Sequence, residues 1–336
     1  MVSASNPLQE SWADTWPAEW LGHRMSSWRD WPLEWLLERK QLVGATISVV
    51  IPARNEEQTV AGVVTALARQ LMSGSRMVDE LVVMDSDSTD ATYEVAAEAG
   101  AAVYRTREVA PHLGSFPGKG EALWKSLLVT NGDLLVFVDA DLTDWGPHFV
   151  TGLLGPLLSD PEVLLVKGFY DRLFADSTGS VTSDGGRVTE LVARPLVTLW
   201  WPELAGIVQP LAGEWAARRN LIESLEIPVG YGVELAALLD TVGQHGLESV
   251  AQVDLGRRGH RHQASHDLAV MAAELLLVAD RRRRPAAHPG LPQVRLRQFM
   301  RNGDAMLHRS RPVPTHERPP ARAVRAGEAA TSAGTV

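Results

Sequence analysis

Two aspartates at the end of an apolar segment are the residues of this sequence best suited to chemistry. Asp139 and Asp141 follow Leu134–Val138, a run typical of a buried β-strand. If the chain turns there, both carboxylates can reach one crevice, where Mg²⁺ or Mn²⁺ takes one or two carboxylates together with substrate phosphates. The alternative is that the pair only caps the next helix. A second acidic segment after a strand, Asp85-Ser86-Asp87, favours the metal, and a diphosphate bridged to it could then depart as a stabilised anion.

The elements that position these residues alternate between strands and helices. Four continuous apolar segments are predicted strands: Thr46–Ile51, Glu80–Met84, Leu134–Val138 and Val163–Val166. Pro52 is predicted to end the first strand, and Asn55 to cap the helix that follows. Such alternation indicates an α/β fold with a parallel sheet covered on both faces.

Ligands of such sheets bind in the crevice beyond the carboxyl ends of the strands. Three segments follow predicted strands there: Pro52–Glu56, Asp85–Asp87 and Asp139–Asp141. The sequence therefore predicts that these segments meet at one site.

Composition narrows the possible functions. The chain has 336 residues, a net charge of −9, 45% hydrophobic residues and no cysteine. An acidic body disfavours nucleic-acid binding, and the absence of cysteine excludes thiolate catalysis and Cys-ligated zinc. The longest apolar stretch, Leu268–Ala279, contains Glu274 and is too short to span a membrane. We expect a soluble cytoplasmic protein.

Other nucleotide motifs do not fit. Gly118-Lys119-Gly120 suggests a phosphate loop, but a Walker A motif needs Ser or Thr where Gly120 stands. Neither G-x-S-x-G nor H-E-x-x-H occurs in the chain. Hydrolase and dehydrogenase interpretations lose most of their support.

Composition also divides the chain into four parts. Residues 1–42 hold six of the eleven tryptophans and are predicted to lie as an arm over an apolar surface. Residues 43–170 and 171–300 are the two central parts. The tail, 301–336, is rich in Arg, Pro and Ala and is predicted to be disordered.

Several motifs together resemble a known family. Ile51–Glu57, Asp85-x-x-Ser88-Thr89-Asp90 and Asp139–Asp141 are similar to nucleotide-sugar-dependent glycosyltransferases with the GT-A fold. Narrower matches resemble the actinobacterial glucosyl-3-phosphoglycerate synthases: Pro117–Trp124, Gly185–Leu196, Gly230–Glu234, and Ala251–Gly256 with His260 after it. The resemblance covers roughly residues 45 to 275. It implies a nucleotide-sugar-binding half at 43–170 and an acceptor-binding half at 171–300.

The resemblance implies a retaining transfer of glucose from UDP-glucose to the 2-hydroxyl of 3-phosphoglycerate, with Mg²⁺ or another divalent cation, by a homodimer. It implies metal binding by Asp141 and His260. Donor-binding residues would be Pro52, Ala53, Glu56, Ser86, Lys119, Asp139, Ala140, Tyr231 and Glu234. Acceptor-binding residues would be Gly186, Arg187, Thr189, Arg261 and His262. Catalytic roles would fall to Asp141, Glu234 and Lys119.

Some of these assignments have structural alternatives. Glu234 opens an apolar helix and could simply favour its N-terminus. His260 lies in a basic loop and could be solvated, whereas a neutral imidazole could complete a metal shell. Arg187, behind two glycines, offers a planar fork for phosphate or carboxylate.

Two rival functions stay open at this point. A mannosyl-3-phosphoglycerate synthase, or a dual-specificity relative, would use GDP-mannose. A catalytically silent nucleotide-sugar-binding protein would bind UDP without turnover. No carboxylate is marked by the sequence as a covalent nucleophile, so front-side attack rests on the resemblance.

Overall fold

The computed structural model describes residues 18–175, 181–183, 186–259, 265–285, 294–302 and 305–326. Its strands are β1 Met25–Ser27, β2 Ile47–Ala53, β3 Glu80–Asp85, β4 Ala102–Arg105, β5 Leu134–Phe137, β6 Leu165–Ala175, β7 Val181–Ser183, β8 Trp215–Arg218, β9 Ile227–Pro228, β10 Val250–Arg258, β11 Val294–Asn302, β12 Ala305–Val313 and β13 Glu317–Arg318.

Nine of these strands form one central sheet. The order is β1-β10-β6-β8-β5-β2-β3-β4, with β7 on β6. All neighbours pair in parallel except β8, which is antiparallel to β5 and β6, and β7. Two antiparallel pairs, β11–β12 and β13–β9, lie outside this sheet. The predicted mostly parallel sheet is confirmed.

Helices cover both faces of the sheet. They are α1 Ala18–Arg24, α2 Leu33–Val43, α3 Val60–Leu67, α4 Thr92–Glu98, α5 Lys119–Val129, α6 His148–Ser159, α7 Arg194–Trp200, α8 Arg219–Ile222, α9 Val233–His245, α10 Ser265–Arg283 and α11 at 321–326. Strand β2 shows why two layers form: Val49 and Ile51 enter the core beneath α3 and α6, whereas Val50 enters the core beneath α5 and α9. None of the described helices is long and apolar enough to cross a membrane.

Two local predictions at the first strand are wrong. β2 continues through Pro52 to Ala53, because beyond Val50 it pairs with β3 and no longer with β5. Asn55 does not cap α3, which begins only at Val60. It adopts a left-handed backbone (φ 57°), and its side-chain oxygen accepts the Thr89 N–H at 2.8 Å. Asn55 thus ties together the loops that follow β2 and β3. The fourth predicted strand, Val163–Val166, is observed as the longer β6.

The described part of the tryptophan-rich segment packs on the sheet. Trp20 is buried, and its indole N–H donates to the carbonyls of Leu247 and Val250 at 3.1 and 3.2 Å. Trp28, Trp31 and Trp35 pack against the core under α3 and α6. β1 extends the sheet at β10. Trp12 and Trp16 lie outside the described residues.

The predicted disorder of the tail is wrong for residues 305–326, which form β12, β13 and α11. Composition suggested disorder because this segment has no apolar period. An ion pair with a distant part of the chain helps to hold it: Arg318 is buried and forms two hydrogen bonds with the Glu121 carboxylate, at 2.6 and 2.8 Å.

Candidate active site

The predicted acidic pair lies at the carboxyl edge of the parallel strands. Asp139 and Asp141 follow β5, and Arg258 ends β10, so all three lie at the same edge. Gly213, which precedes β8, contacts this edge closely, since a Cβ there would overlap the Asp139 carboxylate. The missing side chain therefore allows the backbone to approach Asp139.

Lys119 joins two carboxylates from different elements. Its ammonium lies 2.6 Å from Asp139 Oδ1 and 2.7 Å from Glu234 Oε1. Burial alone would lower the pKa of Lys119, but the charges of Asp139 and Glu234 outweigh it and hold the pKa well above its ordinary value. This ion pair places Glu234 in the crevice, beyond what a helix-capping role would require.

Arg258 is the second buried cation, and sequence reasoning missed it. It is only 4% exposed and donates to Asp139 Oδ2 at 3.1 Å and Asp141 Oδ1 at 3.0 Å. Its other terminal nitrogen contacts Glu214 Oε2 at 3.2 Å and the Tyr170 hydroxyl at 2.5 Å. The basic run 257–261 concealed this residue. Its position at a strand end was the available signal.

The negative charge of Asp139 is stabilised by two cations, Lys119 and Arg258. Burial would raise the pKa of Asp139, but Lys119 and Arg258 hold it well below its ordinary value. Asp139 is therefore a fixed anion that aligns the two cations. We call the residues joined here the crevice cluster: Lys119, Asp139, Asp141, Tyr170, Glu214, Glu234 and Arg258.

The crevice cluster contains polar atoms that the protein leaves unpaired. Within the described ranges, Glu214 Oε1 and Arg258 Nε are buried without a hydrogen-bond partner. Burial raises the pKa of Glu214. Beside the cluster, Lys167 is buried and donates to the Ala212 carbonyl at 2.8 Å, and burial lowers its pKa to about 8. Perturbed groups and unmet buried polarity are typical of a ligand site.

The residues predicted to bind the nucleotide lie along the same edge. The Ser86 N–H donates to the Ala53 carbonyl at 2.8 Å, which holds the ends of β2 and β3 together. The Glu56 N–H donates to Thr92 Oγ1 at 2.7 Å. Pro52 lies within β2, next to Ala53, and Ala140 is buried between the two aspartates.

Tyr231, predicted to hold the sugar, is fixed through its backbone. Its side chain is 44% exposed, and its N–H donates to Glu274 Oε2 at 2.6 Å. Burial raises the pKa of Glu274 to about 7. Gly230 leaves room for this carboxylate, since a Cβ there would overlap it. Glu274 interrupted an apolar segment of the sequence, and that interruption was the only signal of its role.

The predicted acceptor residues are only partly described. Gly186 accepts the Glu190 N–H at 2.9 Å through its carbonyl, Arg187 is exposed, and Thr189 is buried at the start of the helical segment before α7. Their proximity to the crevice cluster stays a prediction.

His260, Arg261 and His262 lie outside the described residues. The chain leading to them is described as far as Gly259, whose N–H donates to the Asp144 carbonyl at 3.3 Å. A Cβ at Gly259 would crowd Thr143 Oγ1. The chain therefore leaves β10 beside the segment that follows Asp141.

Asp141 has the chemistry that a divalent cation requires. Its side chain is 31% exposed and Arg258 contacts one of its oxygens, so the carboxylate opens toward solvent. No group of three or more His, Cys, Asp or Glu side chains in the described part of the chain could hold a metal alone. A cation at Asp141 would thus need substrate oxygens or a ligand beyond those ranges, as Mg²⁺ and Mn²⁺ sites with phosphates commonly do.

Comparisons with known proteins agree with this geometry. Residues 48–180 match the family described as Glycosyl transferase family 2. A glucosyl-3-phosphoglycerate synthase of Mycolicibacterium smegmatis is 43% identical over 312 residues, covering 91% of this chain and 99% of the relative. One of Petrotoga mobilis is 45% identical over 74% of this chain and 76% of the relative.

Solved structures give the same result. The Mycobacterium tuberculosis glucosyl-3-phosphoglycerate synthase in complex with Mn²⁺, UDP and phosphoglyceric acid is 41% identical and superimposes with a TM-score of 0.78, covering 88% of this chain and 95% of that one. The complex of that enzyme with Mn²⁺ and UDP-glucose is 42% identical, with a TM-score of 0.77 and the same coverage.

Proposed function

The chain belongs to the family of glucosyl-3-phosphoglycerate synthases, glycosyltransferases with the GT-A fold, and from this membership we propose its reaction. It transfers glucose from UDP-glucose to the 2-hydroxyl of 3-phosphoglycerate and uses a divalent cation. The observation that carries the proposal is the crevice cluster, in which Lys119, Asp139 and Glu234 form one ion-pair group beside Asp141.

The crevice cluster suits an anionic donor. Uridine would bind at Pro52, Ala53, Glu56 and Ser86, with Asp139 and Ala140 near the ribose. Lys119 would bind donor phosphate or sugar, and Tyr231 and Glu234 would hold the glucose. Because Lys119 is fixed by two carboxylates, little reorganisation is needed when the donor binds.

Asp141 and His260 would hold the divalent cation. When bound, such a cation stabilises the negative charge of the departing diphosphate. The exposed oxygen ligand at Asp141 and the path of Gly259 beside Thr143 and Asp144 support this pairing.

The acceptor would bind at Gly186, Arg187, Thr189, Arg261 and His262. We infer that its hydroxyl arrives on the face from which UDP departs, which retains the anomeric configuration. Glu234, which we place at the sugar, is held by Lys119 at 2.7 Å and is better placed to orient than to attack. The homodimer and the cytoplasmic location are also part of the proposal.

A turnover panel tests the proposed reaction. UDP-glucose, GDP-glucose and GDP-mannose are each incubated with 3-phosphoglycerate and Mg²⁺ or Mn²⁺, and the anomer of the product is read by NMR. We expect turnover to be fastest with UDP-glucose and the product to be the α-anomer. Preference for GDP-mannose would establish the mannosyl rival, and UDP binding without turnover would establish the silent binder.

His260→Ala tests the second metal ligand. We expect a higher metal concentration for half-maximal rate, and in the parent a loss of activity at acidic pH as the imidazole protonates. An unchanged metal titration would return His260 to a solvated role.

A further inference from the structure

The C-terminal segment 314–320 crosses the two segments that carry Lys119 and Glu234. β13 pairs with β9 in the register Glu317↔Pro228 and Arg318↔Ile227. Next to this pair, the Val229 N–H donates to the His316 carbonyl at 3.1 Å. The segment leading into Tyr231 and Glu234 is therefore held by the C-terminal segment 314–320.

The same segment holds the start of α5. Arg318 donates two hydrogen bonds to Glu121, and its terminal nitrogens also donate to the carbonyls of Leu113 and Gly114 at 2.9 and 3.1 Å. The Trp124 indole donates to the Pro319 carbonyl at 2.7 Å. Glu121 is fully buried. We call Glu121, Trp124, Arg318 and Pro319 the C-terminal clamp.

The clamp lies directly behind Lys119. The Gly120 N–H donates to the Gly230 carbonyl at 3.0 Å, and the Glu121 N–H donates to the Val229 carbonyl at 2.9 Å. A Cβ at Gly118 or Gly120 would overlap the backbone of the 228–230 segment. The first turn of α5 thus packs backbone to backbone against the segment that leads to Glu234.

This arrangement decides whether Lys119 and Glu234 meet. They belong to different helices, and the 2.7 Å contact between them requires the start of α5 and the start of α9 to keep one relative position. A misplacement of about 1 Å at a reacting site can reduce the rate by roughly a hundredfold.

We propose that Arg318 is a positioning residue for the donor site, which it serves by holding the first turn of α5 against Pro228–Gly230. The donor's identity rests on the function proposed above. Arg318 acts through Glu121 and the backbone of Gly120, so its loss should weaken donor binding much more than acceptor binding.

Arg318→Lys tests the proposal, because lysine keeps the charge and loses the two-pronged contact with Glu121. The matched control is Arg218→Lys. Arg218 is a half-buried arginine that also donates to backbone carbonyls, those of Leu157, Asp160 and Val163, but it lies at the opposite edge of the sheet, where it pairs with Leu134.

We expect Arg318→Lys to raise KM for UDP-glucose about tenfold and to leave KM for 3-phosphoglycerate within about twofold. Arg218→Lys should lower the melting temperature and leave both KM values unchanged. If Arg318→Lys and Arg218→Lys had the same KM for UDP-glucose, the proposal would be overturned. If Arg318→Lys does not fold, Trp124→Phe is the second test, since it loses the bond to Pro319 and shrinks the buried ring that the Arg318 guanidinium overlies at 4.9 Å. It should raise the KM for UDP-glucose about threefold, and an unchanged KM there overturns the proposal.

Hydrogen exchange separates this inference from the proposed reaction. The amides of Gly120 and Glu121 should exchange faster in Arg318→Lys and at the parental rate in Arg218→Lys. If the parent transfers no glucose, the proposed function fails, and these amides still decide the role of Arg318. Unchanged exchange in Arg318→Lys would overturn the clamp whatever the activity.

Discussion

The crevice cluster and the C-terminal clamp are both buried ionic groups at the first turn of α5, yet they differ in how completely they are satisfied. In the clamp, Arg318 uses all three guanidinium nitrogens, and both oxygens of Glu121 accept from it. In the crevice cluster, Glu214 Oε1 and Arg258 Nε are unpaired within the described residues. Complete pairing is typical of a structural joint, whereas unmet buried polarity indicates a site that a ligand completes.

Replacing Asp141 should produce the largest effect on activity and separate the two regions. Asp141→Ala removes the exposed carboxylate, and loss of a metal ligand should cost several kcal/mol of transition-state stabilisation, or roughly a hundredfold or more in kcat. The fold should survive because Arg258 keeps its hydrogen bonds with Asp139 and Glu214. Steady-state kinetics and thermal melting measure the two effects.

Asp144→Ala is the matched control, since Asp144 is an exposed neighbour that pairs only loosely with Arg257 at 3.7 Å. Activity of Asp141→Ala within about threefold of the parent, with normal melting, would remove Asp141 from the metal site.

In the clamp, the corresponding change should cost stability as well as donor affinity. Glu121→Gln leaves the Arg318 charge buried without its anion, and breaking a buried pair typically costs about 3–5 kcal/mol. Denaturant unfolding measures the free energy. Glu94→Gln, which disturbs an exposed pair with Arg105 at 3.6 Å, should cost about 1 kcal/mol or less. Equal losses in the two variants would contradict a special role for the clamp.

A third variant extends the comparison to the acceptor side. Arg187→Ala should raise KM for 3-phosphoglycerate about ten- to hundredfold, because charge-assisted hydrogen bonds contribute roughly 1.5–3 kcal/mol each. UDP-glucose affinity, measured by calorimetry, should change little. Arg187→Lys should recover only part of the loss, since it keeps the charge and loses the fork. Weakened donor binding with an unchanged acceptor constant would place Arg187 in the donor pocket.

The smallest expected effect on activity concerns Glu274, whose charge should change stability with pH. Burial raises the pKa of Glu274 from 4.5 to about 7, so the folded protein binds this proton more tightly than the unfolded chain does. Stability from this group is present below about pH 4.5 and is lost as the pH rises through about 7, by on the order of 3 kcal/mol. Glu274→Gln should therefore gain stability relative to the parent between pH 5 and pH 8. A melting difference that does not vary with pH would show that Glu274 does not titrate in this range.

The sequence by itself determined four of the nine strands of the central sheet and the acidic residues at their carboxyl edge. Apolar segments followed by acids, as at Leu134–Asp141, are local patterns, and parallel strands necessarily bring their carboxyl ends to one edge. The family motifs added Lys119 and Glu234, which the structure joins through one ammonium.

Only the tertiary structure decided which charges are buried and which partners they have. Arg258 and Arg318 lie in basic, proline- or arginine-rich sequence that is typical of exposed chain, yet both are buried against carboxylates far away in sequence, Asp139 and Glu121. Such pairings depend on long-range geometry, since a buried charge is tolerated only where an opposite charge and hydrogen bonds meet it. For that reason, the crevice could be located from strand ends, whereas the clamp behind it could not.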